Sequence, residues 1–408
     1  MRLPGFLAEQ PRIALFALLA TFSSGFGQTF FVAVFGGEIR AAFDLSHTHY
    51  GLLYGGATVI SALLLLQAGS LADRWPLTRV ATFALLLLAA GCLLIGLAWT
   101  PLALATGFLL IRFGGQGMSS HIGLTAAGRH FSAHRGKAVA FTATGFPLGE
   151  ATLPALAVIM MALGGWRIPW LVATIALILL MIPLLRWLAR EAPLPRAFAA
   201  DDRTRTTASS PPAWSRAQVL RERGFWLLLP AAIAAPFTVT TLLFHQAAIA
   251  EARDWSLELV ASAFTGFAAG HLIALLVAGP AVDRLGAQRV LPAGLIPMFA
   301  GTVLLAMHSG IWVVFVYLAL TGTTLGLTAT AGGALWAERY GVRYLGGIRA
   351  LAQSAMILAT AAAPVVGGML LDSVAGVIGL AWLMAAITAG SCVLALMAPR
   401  RPALPATS

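Results

Sequence analysis

Long apolar runs recur along this chain, broken by short polar stretches. About 20 mostly apolar residues are enough for a helix to cross a bilayer. On that measure the spans fall at 13–35, 49–68, 79–99, 101–125, 137–163, 167–188, 225–249, 257–280, 288–307, 311–333, 347–371 and 376–397. A single run of this length could be the buried helix of a soluble core. Twelve cannot all be buried in one soluble domain of 408 residues. The fold class expected is therefore an all-α membrane protein with twelve transmembrane helices. The first run, Ile13 to Phe35, follows Arg2 and Arg12. It is too long for the core of a signal peptide and no A-x-A site follows it promptly, so it is read as a retained span.

The polar breaks orient these spans. Cytoplasmic loops carry an excess of Lys and Arg. If the N-terminus is cytoplasmic, 22 of the 26 basic residues fall on that side. Arg40, Arg167 and Arg253 fall on the other side, and Arg112 lies inside a span. That asymmetry predicts an inner-membrane, multi-pass protein of bacterial type with both termini cytoplasmic. Composition agrees: 59% of residues are hydrophobic, 10% are charged and the mean hydropathy is +0.86. A soluble domain carries about 25% charged residues. The net charge of +11 is scattered in loop clusters, so nucleic acid is not an expected partner. Cys92 and Cys392 lie in apolar runs with no metal spacing; no metal and no cofactor are expected.

The chain repeats itself at an offset of 210 residues. Gly69, Asp73, Arg74 and Arg79 map onto Gly279, Asp283, Arg284 and Arg289, while Arg129, Gly136 and Pro154 map onto Arg339, Gly346 and Pro364. Six spans are thus followed by six more, both sets starting on the same side, which makes them parallel repeats. The expected organisation is a six-helix bundle at 1–188, a cytoplasmic linker at 189–223 and a second bundle at 224–408. The linker is rich in Pro, Arg, Asp, Ser and Thr, with a short amphipathic helix expected near Trp214 to Arg223.

Gly69-Ser-Leu-Ala-Asp73-Arg74-Trp-Pro-Leu-Thr-Arg79 and its second copy, Gly279 to Arg289, resemble the loop signature G-x-x-x-D-R-x-x-x-x-[RK] of the major facilitator superfamily. Both copies lie between the second and third span of their half, where that family has them. The resemblance extends over the whole chain. It implies two six-helix bundles, alternating access, and a conformational latch at Asp73 and Asp283 on the cytoplasmic side. Physically, Gly permits close helix approach, and Asp favours the positive end of a helix dipole. Positive-inside anchoring alone is the competing explanation of the motif.

Two formal charges lie at membrane depth, Arg112 in the fourth span and Glu150 in the fifth. Each costs roughly 2.5–3.5 kcal/mol on insertion scales, so each needs a purpose. At the 210 offset stand Gly322 and Thr360, so the fold repeats and this chemistry does not. Arg112 shares a helical face with Gly115, Gln116 and Ser119. Glu150 sits in Gly145-Phe-Pro147-Leu-Gly149-Glu150-Ala-Thr-Leu-Pro154, whose prolines and glycines predict a bent or opened helix there. Arg112 and Glu150 either pair with each other, or bind a substrate anion and carry a proton. Further polar candidates within spans are Gln28 and Ser24, His121, His245 with Gln246, His271, and Thr321, Thr324 and Thr328. A histidine alone in a helix is more often a satisfied packing residue, and Ser and Thr usually bond their own backbone.

A fixed guanidinium suits a carboxylate or other small anion, and a titratable Glu or His suits proton coupling. The expected function is secondary active transport of a small organic anion such as a monocarboxylate, with protons as coupling ion. The partners are a small-molecule substrate and the lipid bilayer, and a monomer is expected. Phe35-Gly-Gly-Glu38-Ile-Arg40 through Tyr54, and Gly346-Gly-Ile-Arg349-Ala-Leu-Ala-Gln353, resemble the oxalate/formate and monocarboxylate group. A drug or metabolite efflux antiporter is the alternative; only Gly145 and Gly149 of its fifth-helix motif are present. No H-E-x-x-H, G-x-S-x-G or paired Asp cluster supports a membrane-embedded enzyme. The linker and tails are too short for the signalling domain of a solute sensor.

Overall fold

The computed structural model describes residues 10–68, 71, 75–131, 135–192, 214–341 and 345–399. All regular structure among these residues is helical. Contacts divide the chain into two compact units, Met1–Thr206 and Thr207–Ser408, a division that falls within 189–223.

In the first unit, α1 (Pro11–Ser23) runs into a 3-10 turn (Ser24–Gly27), then α2 (Thr29–Ala33) and α3 (Gly36–Phe43). Next come α4 (His47–Ala68), α5 (Leu77–Gly96) and α6 (Pro101–Ile111). A π-helical segment, Arg112–Ser119, joins α6 directly to α7 (Ser120–His130). The unit closes with α8 (Arg135–Ala143), α9 (Gly145–Gly164), α10 (Arg167–Ala176), a π turn (Leu177–Met181) and α11 (Ile182–Ala189). The second unit holds α12 (Arg216–Arg221), α13 (Arg223–Phe244), α14 (Gln246–Ala252), α15 (Leu257–Leu285), α16 (Ala287–Met307), α17 (Trp312–Tyr340), α18 (Leu345–Leu371) and α19 (Gly376–Met397).

Eleven helices among the described residues are long and apolar enough to cross a membrane. The expected fourth span is helical from Pro101 to His130, but it is divided by the π segment. Many helix-borne apolar side chains face outward: Leu66 is 73% exposed, Leu163 81% and Leu179 72%. Such faces are stable only against hydrocarbon, so the protein is integral to a membrane.

The 210-residue repeat is visible in backbone geometry. The starts of α3 and α14, of α4 and α15, of α5 and α16, and of α8 and α18 are each that far apart. So are Asp44 and Asp254, the two non-glycine residues with positive φ among the described residues (50° and 56°). Asp44 caps, and Asp254 directly follows the cap of, a short helix that comes after a kink, at Phe35 in one unit and His245 in the other.

The repeat fails in four places, all in the first unit: a turn at Thr144 parts α8 from α9 where α18 is continuous, the π turn Leu177–Met181 parts α10 from α11 where α19 is continuous, and the first and fourth spans are broken. α13 is unbroken where the first span has its 3-10 turn and extended Gln28 (φ −86°, ψ 155°). α17 is one helix where the fourth span has its π segment. The opening expected over Gly145 to Pro154 falls at its N-terminal edge: a turn at Thr144 ends α8, and α9 is then continuous from Gly145 through Glu150 to Gly164. Pro147 lies in its first turn, where a missing N–H sacrifices no intrahelical bond, and Pro154 is accommodated inside the helix.

Candidate functional site

The two broken helices touch. A Cβ on Gly115 would lie 2.9 Å from the Cα of Gly27, and one on Gly27 would lie 2.9 Å from the backbone nitrogen of Gln116. On its other side the π segment abuts α5, where a Cβ on Gly114 would come within 2.7 Å of the Ala84 carbonyl. Only glycine permits backbones this close. The segment holds Gly114, Gly115 and Gly117, and the Ser119 hydroxyl donates to the Gly114 carbonyl five residues back at 2.7 Å. π-helical segments are rare and concentrate at functional sites. Backbone leaves the helical pattern at membrane depth only where protein or a lined cavity supports it.

Arg112 opens this segment and is 3% exposed. Its Nε donates to the Thr58 hydroxyl at 3.1 Å, and Nη1 makes a long contact of 3.5 Å to the Gly27 carbonyl. The guanidinium lies 4.9 Å from the centroid of the Tyr54 ring. Tyr54 is held in turn, its hydroxyl 3.0 Å from that of Thr29. Thr58 donates to the Tyr54 carbonyl at 2.9 Å, one turn back on α4. These described partners of Arg112 are all neutral. A buried cation held by a hydroxyl, a carbonyl and a π face has donors left for an anion.

Glu150 is 4% exposed on α9. That helix is drawn against α1 at Gly145, where a Cβ would lie 2.6 Å from the Leu18 carbonyl, while a Cβ on Gly149 would meet the ring of Phe30 on α2 at 3.5 Å. Just before α9, Thr21 of α1 donates to the Thr142 carbonyl of α8 at 2.6 Å. Gln116 and Gln28, on the two breaks, are half-buried. His121 is exposed and lies outside the buried cluster.

The remaining candidates lie in the second unit. His245 sits at the α13–α14 kink, 2% exposed, with Nε2 2.8 Å from the Pro364 carbonyl. A carbonyl only accepts, so Nε2 carries the proton. Gln246, 1% exposed, accepts from the Tyr317 hydroxyl, and its own amide nitrogen has no hydrogen-bond partner. His271 is buried in α15 beside Phe267, where glycines of α17 pack closely. The hydroxyls of Thr321 and Thr328 return to their own helix at 2.7 Å each, while Thr324 accepts from the Met298 N–H. No group of three His, Cys, Asp or Glu among the described residues is arranged to hold a metal.

Of the loop motif, Gly69, Asp73 and Arg74 lie outside the described residues, and Arg79 is exposed. In the second copy Gly279 is half-buried, while Asp283, Arg284 and Arg289 are exposed. The start of α16 is capped not by Asp283 but by Glu338, which accepts from the Ala287 N–H at 2.8 Å. Next to it lies a buried network with no counterpart in the sequence reading. Arg339 pairs with Glu222 at 2.9 Å, and also donates to Gln288 at 3.1 Å and to the Pro399 carbonyl at 2.7 Å. Glu222 also accepts from the Tyr340 hydroxyl at 2.6 Å and caps α13 through the N–H groups of Gly224 and Phe225. Residues 117 apart meet here, so only the 210-residue match of Arg129 to Arg339 hinted at a shared role.

Two repeated helical units, lipid-facing surfaces and a buried cation between broken helices define a polytopic solute transporter. The Major Facilitator Superfamily model matches residues 17–247 and 237–408. The chain belongs to that superfamily, whose fold is that of a membrane transporter. No curated protein matches the sequence. Two solved structures of a bacterial homologue of the human lysosomal transporter Spinster have the same fold. The inward-facing, unoccupied one gives a TM-score of 0.70 at 14% identity, over 97% of this chain and 99% of the other. The inward-facing, occupied one gives 0.68 at 17% identity, over 95% and 96%.

Proposed function

We propose that this protein moves a small organic anion across a bacterial inner membrane by alternating access, with Arg112 as the anion-binding group and Glu150 as the proton carrier. The observation that carries the reading is the environment of Arg112, a buried guanidinium whose described partners are all neutral, set where two broken helices meet. A fixed cation in a low-dielectric site attracts an anion far more strongly than one in water. Glu150, the proton carrier in this reading, is buried in the helix that packs on the same broken first span.

The same reading counts residues 101–130 as a span despite the π segment, which brings the eleven apolar helices to twelve. It places both termini in the cytoplasm on the asymmetry of basic residues. The linker at 189–223 tethers the bundles at 1–188 and 224–408, and Asp73 and Asp283 latch them in one conformation. A thermal-shift screen of the purified protein tests the substrate class. Small carboxylates are expected to raise its unfolding temperature, and Arg112→Gln to remove that shift. Stabilisation by cationic dyes alone would move the protein to the efflux-antiporter class.

A further inference from the structure

The second unit encloses a half-open cavity of about 560 Å³ between α13, α17 and α18. That is the size of a small-molecule pocket, which runs from roughly 300 to 1,000 Å³. Its walls are apolar, built from Ala232 and Pro236 of α13, Leu325 and Trp336 of α17, and Ala352 and Met356 of α18. One charged side chain, Arg349, lines it, with the amide of Gln353 one turn further along α18. The guanidinium reaches to the Gly333 carbonyl on α17. No acid among the described residues pairs with it.

A second observation concerns the floor. α17 contains four glycines besides its ends, in two pairs. Gly322 and Gly326 have a packing reason, since a Cβ there would lie 2.8 Å from the Phe267 backbone and 2.6 Å from the His271 carbonyl. Gly332 and Gly333 have none: nothing lies within 4 Å of a Cβ at either position. Adjacent glycines weaken a helix relative to alanine. What these two do is keep the cavity empty.

We infer that this cavity binds an organic anion with an apolar body. The head sits at Arg349 and Gln353, and the body lies along Pro236, Leu325 and Trp336 over the bare backbone of Gly332 and Gly333. A purely polar anion would leave those walls unfilled, and a neutral amphiphile would leave the guanidinium with only a backbone carbonyl. The site lies wholly within the second unit and rests on observations separate from Arg112. It therefore goes beyond the transport reading, whose anion group is Arg112, and says what shape of anion this second site accepts.

The test is calorimetric titration of the purified full-length protein with 4-phenylbutyrate, with 4-phenylbutanol and butyrate as comparators at the same detergent concentration. The acid is expected to bind more tightly than either comparator. Arg349→Gln is expected to weaken the acid about tenfold or more and leave the alcohol unchanged. Gly332→Leu is expected to abolish binding while the unfolding temperature stays at or above that of the wild type. Failure of the acid to bind, equal binding of the alcohol, wild-type affinity in both variants, or a lowered unfolding temperature in Gly332→Leu would each overturn the inference. Arg112→Gln separates it from the transport reading. Binding lost there and kept in the other two variants would put the anion at Arg112 and refute the cavity site alone.

Discussion

Replacing Gly27 with alanine probes the contact on which the site depends. The added methyl would press on the Ile111 carbonyl, and would lie 2.9 Å from the Gln116 nitrogen and 3.0 Å from the Gly115 Cα. All three are backbone atoms and none can rotate aside. Overpacking a core typically costs 1–3 kcal/mol, and backbone on every side places this case near the top, at about 3 kcal/mol. For a unit of some 200 residues, 1 kcal/mol shifts the midpoint by about 2–4 °C, so the expected fall is about 6–12 °C. Gly128→Ala is the control. It lies in α7 with nothing within 4 Å of the new methyl, so it is expected to gain up to about 1 kcal/mol from helix propensity. Thermal unfolding of the purified variants reads both effects, and proteoliposome uptake reads the site. Wild-type melting and wild-type uptake by Gly27→Ala would refute the close approach of the first and fourth spans.

Glu222→Ala removes the carboxylate of Arg339, whose side chain is 2% exposed. An expected loss of about 3 kcal/mol, the low end for a broken buried pair because Gln288 and Pro399 remain as partners, is checked by thermal unfolding; Glu222→Ala/Arg339→Met is expected to recover most of it. Burial pushes the Glu222 carboxyl up, but hydrogen bonds from Tyr340, Arg339 and the Gly224 N–H outweigh burial and hold its pKa below the ordinary carboxylate range. Its contribution is therefore full at neutral pH and lost as pH falls through that lowered value, so acid melts of the wild type are expected to converge on those of Glu222→Gln. Tyr54→Phe keeps the ring under Arg112 and is expected to retain substrate affinity, whereas Tyr54→Leu is expected to lower it several-fold in a binding titration. Asp73→Asn is expected to slow transport more than it weakens binding, a split that kinetics in proteoliposomes resolves.

How much of this was legible beforehand depended on what sets each feature. Span positions follow from apolar run length, which the bilayer imposes; among the described residues eleven emerge as helices long and apolar enough to cross, most within a few residues of their expected ends, while α17 runs seven residues past its expected end to Tyr340. The 210-residue offset was legible too, and Asp44 and Asp254, a further identity at that offset, share the same left-handed backbone. The breaks at Gly27 and Arg112–Ser119 were not legible, because tertiary approach of backbones decides them, not local propensity. Gly-Gly-Gln-Gly at 114–117 was their one trace. The prolines near Glu150 pointed to the right helix but not the right residue: the chain turns at Thr144, Pro147 falls in the first turn that follows, and Pro154 is carried inside α9. Tyr54 and Thr58 carried no signal as partners of Arg112, 54 residues away in the case of Thr58. Arg339 and Glu222 were legible only as loop charges.

The central claim is that Arg112 binds the transported anion and Glu150 moves the proton. Counterflow and pH-gradient-driven uptake of one stabilising carboxylate, measured side by side in proteoliposomes, separate the two roles. Arg112→Gln is expected to lose both activities. Glu150→Gln is expected to keep counterflow, which needs only substrate exchange, and to lose uphill uptake. Wild-type accumulation by a folded Arg112→Gln/Glu150→Gln protein would contradict the account.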